Sequence, residues 1–178
     1  MRGRLEACVA VLALVGVLGT GCVGPLVEEA GGWRHRKQAW TIARPDGAGT
    51  PWQRVEVDGA LLAFRRPDHE LMSLQSRCSR PVASAEVMAR HLLIGLRDRE
   101  IVASSPVAVD GRSAWRQTVE VHGDPTGVRV ETVTLVVGAC TVDWILAGRA
   151  EDAESEAAFD AWWQSFRLDP ARWAQPAS

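Results

Sequence analysis

Two Asp-Gly dipeptides, Asp58-Gly59 and Asp110-Gly111, each lie between segments in which apolar and polar residues alternate. Asp-Gly readily supplies the positive φ angles that a two-residue hairpin turn demands, so each dipeptide joins two antiparallel strands. The first predicts strands over 52–57 and 60–65, and the second over 101–109 and 112–121. Further extended segments follow at 70–78, 127–137 and 140–147, joined by connections so short that neighbouring strands must be antiparallel. Along 113–121, Trp115, Gln117, Val119 and Val121 share one face while Arg116, Thr118 and Glu120 share the other, the pattern of a half-solvated strand. In 128–137 the apolar phase shifts between Val130 and Val133, which predicts a bulge or a change of covering.

Two helices interrupt this pattern. Ser84 is a plausible N-cap, and beyond it Ala85, Met88, Ala89, Leu92 and Leu96 fall on one face with Glu86, Arg90 and Arg97 opposite. Near the C-terminus, Asp152 or Ser155 can cap a second helix, and Glu151, Asp152, Glu154 and Glu156 crowd its positive end. Phe159, Trp162, Trp163 and Phe166 recur there at helical spacing. An apolar stripe of this kind is core far more often than a ligand cradle.

The N-terminus carries a different signal. Arg2 and Arg4 precede an unbroken apolar run over 7–18, followed by Gly19, Thr20, Gly21 and Cys22. A run of 12 residues is too short to cross a hydrocarbon core of about 30 Å as a helix, so it reads as an export leader. The order basic, apolar, small, cysteine resembles the lipobox of bacterial lipoproteins, with Leu18 one place further from the cysteine than usual. That resemblance implies cleavage after residue 21 and acylation of Cys22, which would hold the chain on a bilayer without a transmembrane helix. The lack of Asp after Cys22 resembles lipoproteins sent to the outer membrane, on its periplasmic side.

With the leader removed and Cys22 acylated, Cys78 and Cys140 remain as an even pair in an oxidising compartment. They read as a disulfide, with two buried free thiols as the alternative. Residues 23–50 show mixed polarity, Gly pairs and no sustained period, and are expected to form a tether. If flexible, it would carry the domain about 30 Å from the lipid. Arg34, His35, Arg36 and Lys37, between Trp33 and Trp40, could touch anionic head groups; a solvated charge run is the favoured reading. The expected organisation is thus a leader over 1–21, a lipidated tether over 22–50, one α+β domain over 51–169 and a tail over 170–178.

The order of two or three strands, a helix, four strands in a meander and a last helix resembles the PsbP-like fold, also found in DcrB-type envelope lipoproteins. The segments ALLAFRRP, VDGRSAWRQTVEV and FDAWWQSF carry the resemblance. It implies an antiparallel β-sheet flanked by two helices, and a non-enzymatic accessory or binding role.

No chemistry competes with that implication. His35, His69, His91 and His122 are scattered without metal-ligand spacing, and there is neither a nucleophile elbow nor a phosphate loop. No catalytic, metal or cofactor residue is assigned. Asp68, His69 and Glu70 form a small polar run that reads as solvated surface. With 20 Lys+Arg against 22 Asp+Glu in 178 residues, the chain offers no basic footprint for nucleic acid. The expected partners are a membrane, reached through the lipid, and an envelope protein. The alternative is a small-ligand carrier or weak enzyme with a pocket between the sheet and the Trp162/Trp163 helix.

Overall fold

The computed structural model describes residues 25–45, 51–67, 69–78, 83–122, 127–149 and 152–169. Thirteen elements follow in chain order: β1 (Leu26–Glu29), β2 (Gly32–His35), β3 (Trp40–Ala43), β4 (Gln53–Arg54), β5 (Leu62–Arg65), β6 (Leu71–Cys78), α1 (Ala85–Leu92), β7 (Arg99–Val109), β8 (Arg112–Val121), β9 (Val128–Val137), β10 (Cys140–Arg149), α2 (Ala153–Gln164) and β11 (Arg167–Leu168). They form an antiparallel seven-stranded sheet, ordered β4-β5-β6-β10-β9-β8-β7, and a smaller sheet ordered β1-β2-β3-β11. The fold is α+β, with α1 over β8, β9 and β10 on one face and α2 packed against β10 and β3 on the other.

Alternation decides which residues reach which side. On β5, β6 and β10, Leu62, Phe64, Met72, Leu74, Val142, Trp144 and Leu146 point toward α2 and the small sheet, where they meet Trp33, Trp40, Ile42, Phe159, Trp162, Trp163 and Phe166. The aromatic stripe of α2 is core, not a cradle: Phe64 meets Trp162 edge-on at 5.4 Å, and Trp144 meets Phe166 edge-on at 4.9 Å. The opposite face carries a smaller cluster in which Leu93 and Leu96 lie on Val119, Val121, Val128, Val130, Ile145 and Ala147.

The phase shift in β9 is therefore a change of covering. Val128 and Val130 join the cluster beneath α1, Val133 and Leu135 join the core beneath α2, and the pairing of β9 stays continuous on both sides. The register shift falls in β7, between Ile101 and Ala103. Nor is β8 half-solvated: Gln117, Thr118 and Val119 are all buried, because both faces of the central strands are covered.

Asp110 and Gly111 both have positive φ and close the β7–β8 hairpin as expected. The other Asp-Gly turn is looser, since Gly59 alone has positive φ and β4 spans only Gln53–Arg54. Ser84 caps α1 through Val87 N–H, and Asp152 caps α2 through the N–H groups of Glu154 and Ser155.

The largest departure lies in the expected tether. Residues 26–43 are not a flexible linker but the three-stranded β1–β2–β3 meander, and β11 adds to its free edge. The cause is a short alternation that Gly and Arg residues disguise: Trp33 pairs with Ile42, and both reach the core with Trp40. The leader over 1–21, Cys22 and the tail over 170–178 lie outside the described residues.

Candidate functional site

The polar side of α2 follows from spacing. Asp152, Glu156 and Asp160 recur at i, i+4 and i+8, so they line one face of the helix. Each meets an arginine of the large sheet or its edge: Asp152 with Arg66 at 3.6 Å, Glu156 with Arg129 at 3.2 Å, and Asp160 with Arg116 at 3.0 Å. Behind them lie two buried glutamates. Glu131, only 2% exposed, accepts from Arg116 Nη2 on one oxygen and from Arg129 Nη2 on the other. Glu70 accepts from Ser155 Oγ and lies 3.7 Å from Arg66 Nη1. Gly148 makes room for Glu70, since a Cβ there would stand 2.8 Å from Glu70 Cγ.

The charges settle one another. Burial works against the guanidinium of Arg116, but Glu131 and Asp160 more than offset it and hold the pKa above the usual arginine value. Hydrogen bonding with Glu70, joined by the N–H groups of Ser155 and Glu154, keeps the Asp152 carboxyl below its ordinary value despite burial. The space left among these residues is about 10 Å³, lined by Glu70, Arg129, Glu131, Gly148 and Ser155 among others. That is no more than about one water's worth. The expected alternative, a ligand pocket between the sheet and the Trp162/Trp163 helix, is therefore not realised among the described residues: Phe159, Trp162 and Trp163 fill the interface with side chains.

A second polar layer lies on the opposite face of the sheet. Asp143 on β10 sits between Gln75 of β6 and Thr134 of β9, and accepts a 2.7 Å hydrogen bond from Thr134 Oγ1. Burial pushes its pKa up to about 6, against the opposing pull of Thr134 and Arg77. A folded-state value above the unfolded one means that the folded chain holds an extra proton between these two pH values. The associated stability is full below pH 4 and is lost as the pH rises through 6. Asp143→Asn keeps an acceptor for Thr134 and removes that loss. The variant is expected to gain about 2–3 kcal/mol over the parent at pH 8 and almost nothing at pH 3.5. Urea unfolding at the two pH values measures the difference; equal gains at both would contradict the assignment.

Cys78 and Cys140, opposite each other on β6 and β10, are joined by a disulfide. His69 is exposed, with positive φ, and its Nδ1 lies 2.7 Å from Arg65 Nη2, while Asp68 lies outside the described residues. Glu70, expected on a solvated turn, is buried within the network at the start of α2. The run is split because Glu70 ends the turn and points inward beside Ser155. His91 and His122 are exposed, the latter 3.4 Å from Glu100, and His35 is buried. Among the described residues no group of three or more His, Cys, Asp or Glu could hold a metal ion. Sequence reasoning missed the acidic stripe of α2 because its acids also suit a helix N-terminus. The signal lay in their spacing, and in Glu131 in the middle of an apolar strand.

A concavity of about 180 Å³ lies over Gly31–Trp33, Thr41–Ala43 and Ser165. A larger, open cleft of about 820 Å³ runs along the β4–β5 hairpin, lined by residues 54–61 and Ala63. Polar and apolar groups alternate around it, with Val57 exposed at its wall. Nearby, Arg44 and Arg54 lie 5.0 and 5.8 Å from the Trp33 ring centre.

No family model and no curated protein sequence matches this chain. Solved structures do. A solution structure of cyanobacterial PsbP (CyanoP) from Synechocystis sp. PCC 6803 superposes with a TM-score of 0.58 at 16% identity, covering 87% of this chain and 99% of that one. LpqN, involved in cell envelope biogenesis of Mycobacterium tuberculosis, gives a TM-score of 0.55 at 16% identity over 75% of this chain and 86% of its own. A Pseudomonas aeruginosa protein of unknown function gives 0.51 at 12% identity over 82% and 96%. At these identities the likeness is one of fold, and the fold is PsbP-like.

Proposed function

We propose that this chain is a lipoprotein of the bacterial cell envelope, acylated at Cys22, that works as a non-catalytic accessory module by binding a protein partner. The observation that carries the reading is the contrast between a filled interior and an open cleft of about 820 Å³ at the edge of the large sheet. Among the described residues, the buried carboxylates of Glu70 and Glu131 pair with Arg66, Arg116 and Arg129 inside the fold, away from the open cleft. A shallow, mixed-polarity cleft suits a partner's surface better than a small substrate, which usually sits in an enclosed pocket. LpqN, of similar fold, is a protein of envelope biogenesis, which supports the envelope setting. The lipobox-like order that ends at Cys22 supports a lipid anchor, and Val23, in place of Asp after it, supports the periplasmic side of the outer membrane.

Two measurements test the reading. Labelling cells with a fatty-acid probe is expected to mark the native chain and not Cys22→Ala; equal labelling would refute acylation there. Cross-linking followed by recovery from detergent-solubilised envelopes is expected to capture a specific protein. Val57→Glu, which places a charge in the cleft, should reduce that capture at least about tenfold, the usual size of a lost contact at a partly buried interface position. Unchanged capture would remove the cleft from the interface, and no specific capture would remove the binding role.

A further inference from the structure

We propose that the turn between β2 and β3, which presents Arg36 and Lys37, is a docking surface for an anionic phospholipid bilayer. The inference rests on the acylation of Cys22 proposed above.

Chain length comes first. Cys22 stands three residues before Pro25, so even fully extended the chain separates them by no more than about 11 Å. With the meander folded, no long tether remains to lift the domain away. Pro25 is itself fixed to the turn: its carbonyl accepts the Arg36 N–H at 2.9 Å, and the next residue, Leu26, pairs with His35. An acylated Cys22 therefore holds this end of the small sheet at the head groups.

Charge comes second. Arg36 and Lys37 are exposed and take part in no ion pair among the described residues. Other basic residues of the same meander are already engaged: Arg34 lies 2.6 Å from Glu29, and Arg44 pairs with Glu28. Among the described arginines and lysine of the meander, the two without an ion pair are thus the two beside the anchor. Asp152 at the start of α2 stands at the far end, because β10 runs for ten residues, about 30 Å, from Cys140 beside the turn to Arg149 beside Asp152, while Asp160 stands midway, on Arg116 and level with Trp144, about 13 Å along β10 from Cys140. Of the acids at the near end, Asp110 accepts from Leu168 N–H and faces Arg167, Asp169 lies beside the turn with its N–H on the Ala39 carbonyl, and Asp58 belongs to the separate β4–β5 turn. Since surface charges act over about 8 Å at physiological salt, the cations fall within range of the head groups and the α2 acids do not.

Bracing comes third. Gln38 N–H donates to His35 Nδ1 at 2.9 Å, and Gln38 Oε1 accepts from Trp40 Nε1 and Ser76 Oγ. Gln38 Nε2 reaches Cys78 Sγ at 3.0 Å. Burial and the nearby Lys37 lower the His35 pKa, which favours the neutral ring that accepts this bond. The cations are held on a fixed turn, so little ordering entropy opposes docking.

The test uses the full acylated chain, reconstituted either in vesicles of phosphatidylcholine alone or in vesicles of phosphatidylcholine mixed with phosphatidylglycerol. Amide exchange in the peptide over 34–40 is expected to slow at least about fivefold when phosphatidylglycerol is present, the effect of roughly one cation at a charged surface. The slowing should vanish in Arg36→Gln/Lys37→Gln and at high salt, and persist in Arg36→Lys. The β1–β2 turn, at the other end of the hairpin, should exchange alike in both vesicles. Equal exchange over 34–40 in the two lipids, or slowing retained in the double variant, would overturn the docking surface. A mass spectrum of the same sample separates the two readings: a bare Cys22 overturns the lipoprotein, whereas an acylated chain indifferent to phosphatidylglycerol overturns only the docking.

Discussion

Replacing Cys78 and Cys140 with serine, or reducing the bond between them, is expected to lower the unfolding free energy by about 4 kcal/mol in the chain-entropy account. The bond spans 62 residues, a loop that contains α1, β7, β8 and β9. Without the cross-link, the unfolded chain regains the freedom of that entire loop, while the folded chain keeps the β6–β10 ladder that aligns the two positions. Urea unfolding with and without reductant gives the number. A change under about 1 kcal/mol would mean that the unfolded chain already holds the two strands together, contrary to the entropic account.

Glu131→Ala is expected to cost about 3–4 kcal/mol, because it leaves Arg116 and Arg129 facing a desolvated space without their common acceptor. Both arginines keep some solvent access and a second acid on α2, which places the effect at the lower end for buried pairs. Swapping Glu131, Arg116 and Arg129 together for apolar residues of similar size should recover most of the loss, since partnered buried charges contribute little net stability. Denaturant unfolding of the single and triple variants makes the comparison. If Glu131→Ala alone proved neutral, the network would be solvated in practice and α2 would be held by its aromatic residues alone.

Much of the architecture was legible in the sequence where local chemistry leaves few choices. Asp110-Gly111 dictates its hairpin, Ser84 dictates the start of α1, and the Phe159–Trp162–Trp163–Phe166 spacing dictates which side of α2 is buried. The β1–β3 meander was not legible. Each of its strands has only four residues, and at that length Trp33 and Ile42 show no period until they are placed opposite each other. The polar interior was hidden for a related reason. Glu70, Glu131 and Asp143 have the composition of surface positions, and their burial follows from sheet order, which brings residues far apart in the chain to one spot. The cleft likewise depends on how far the β4–β5 hairpin splays, which its Asp-Gly turn does not specify.

The pairing of β11 with β3 sets the order in which this molecule can be completed. Leu168 lies against Trp40, and the Asp169 N–H reaches the Ala39 carbonyl, so the opening meander receives its last neighbour from the closing residues. The chain must be synthesised through Leu168 before Trp40 can be enclosed. Until then the early aromatic side chains stay uncovered, and the nascent molecule remains open to whatever chaperone or translocation machinery meets it first.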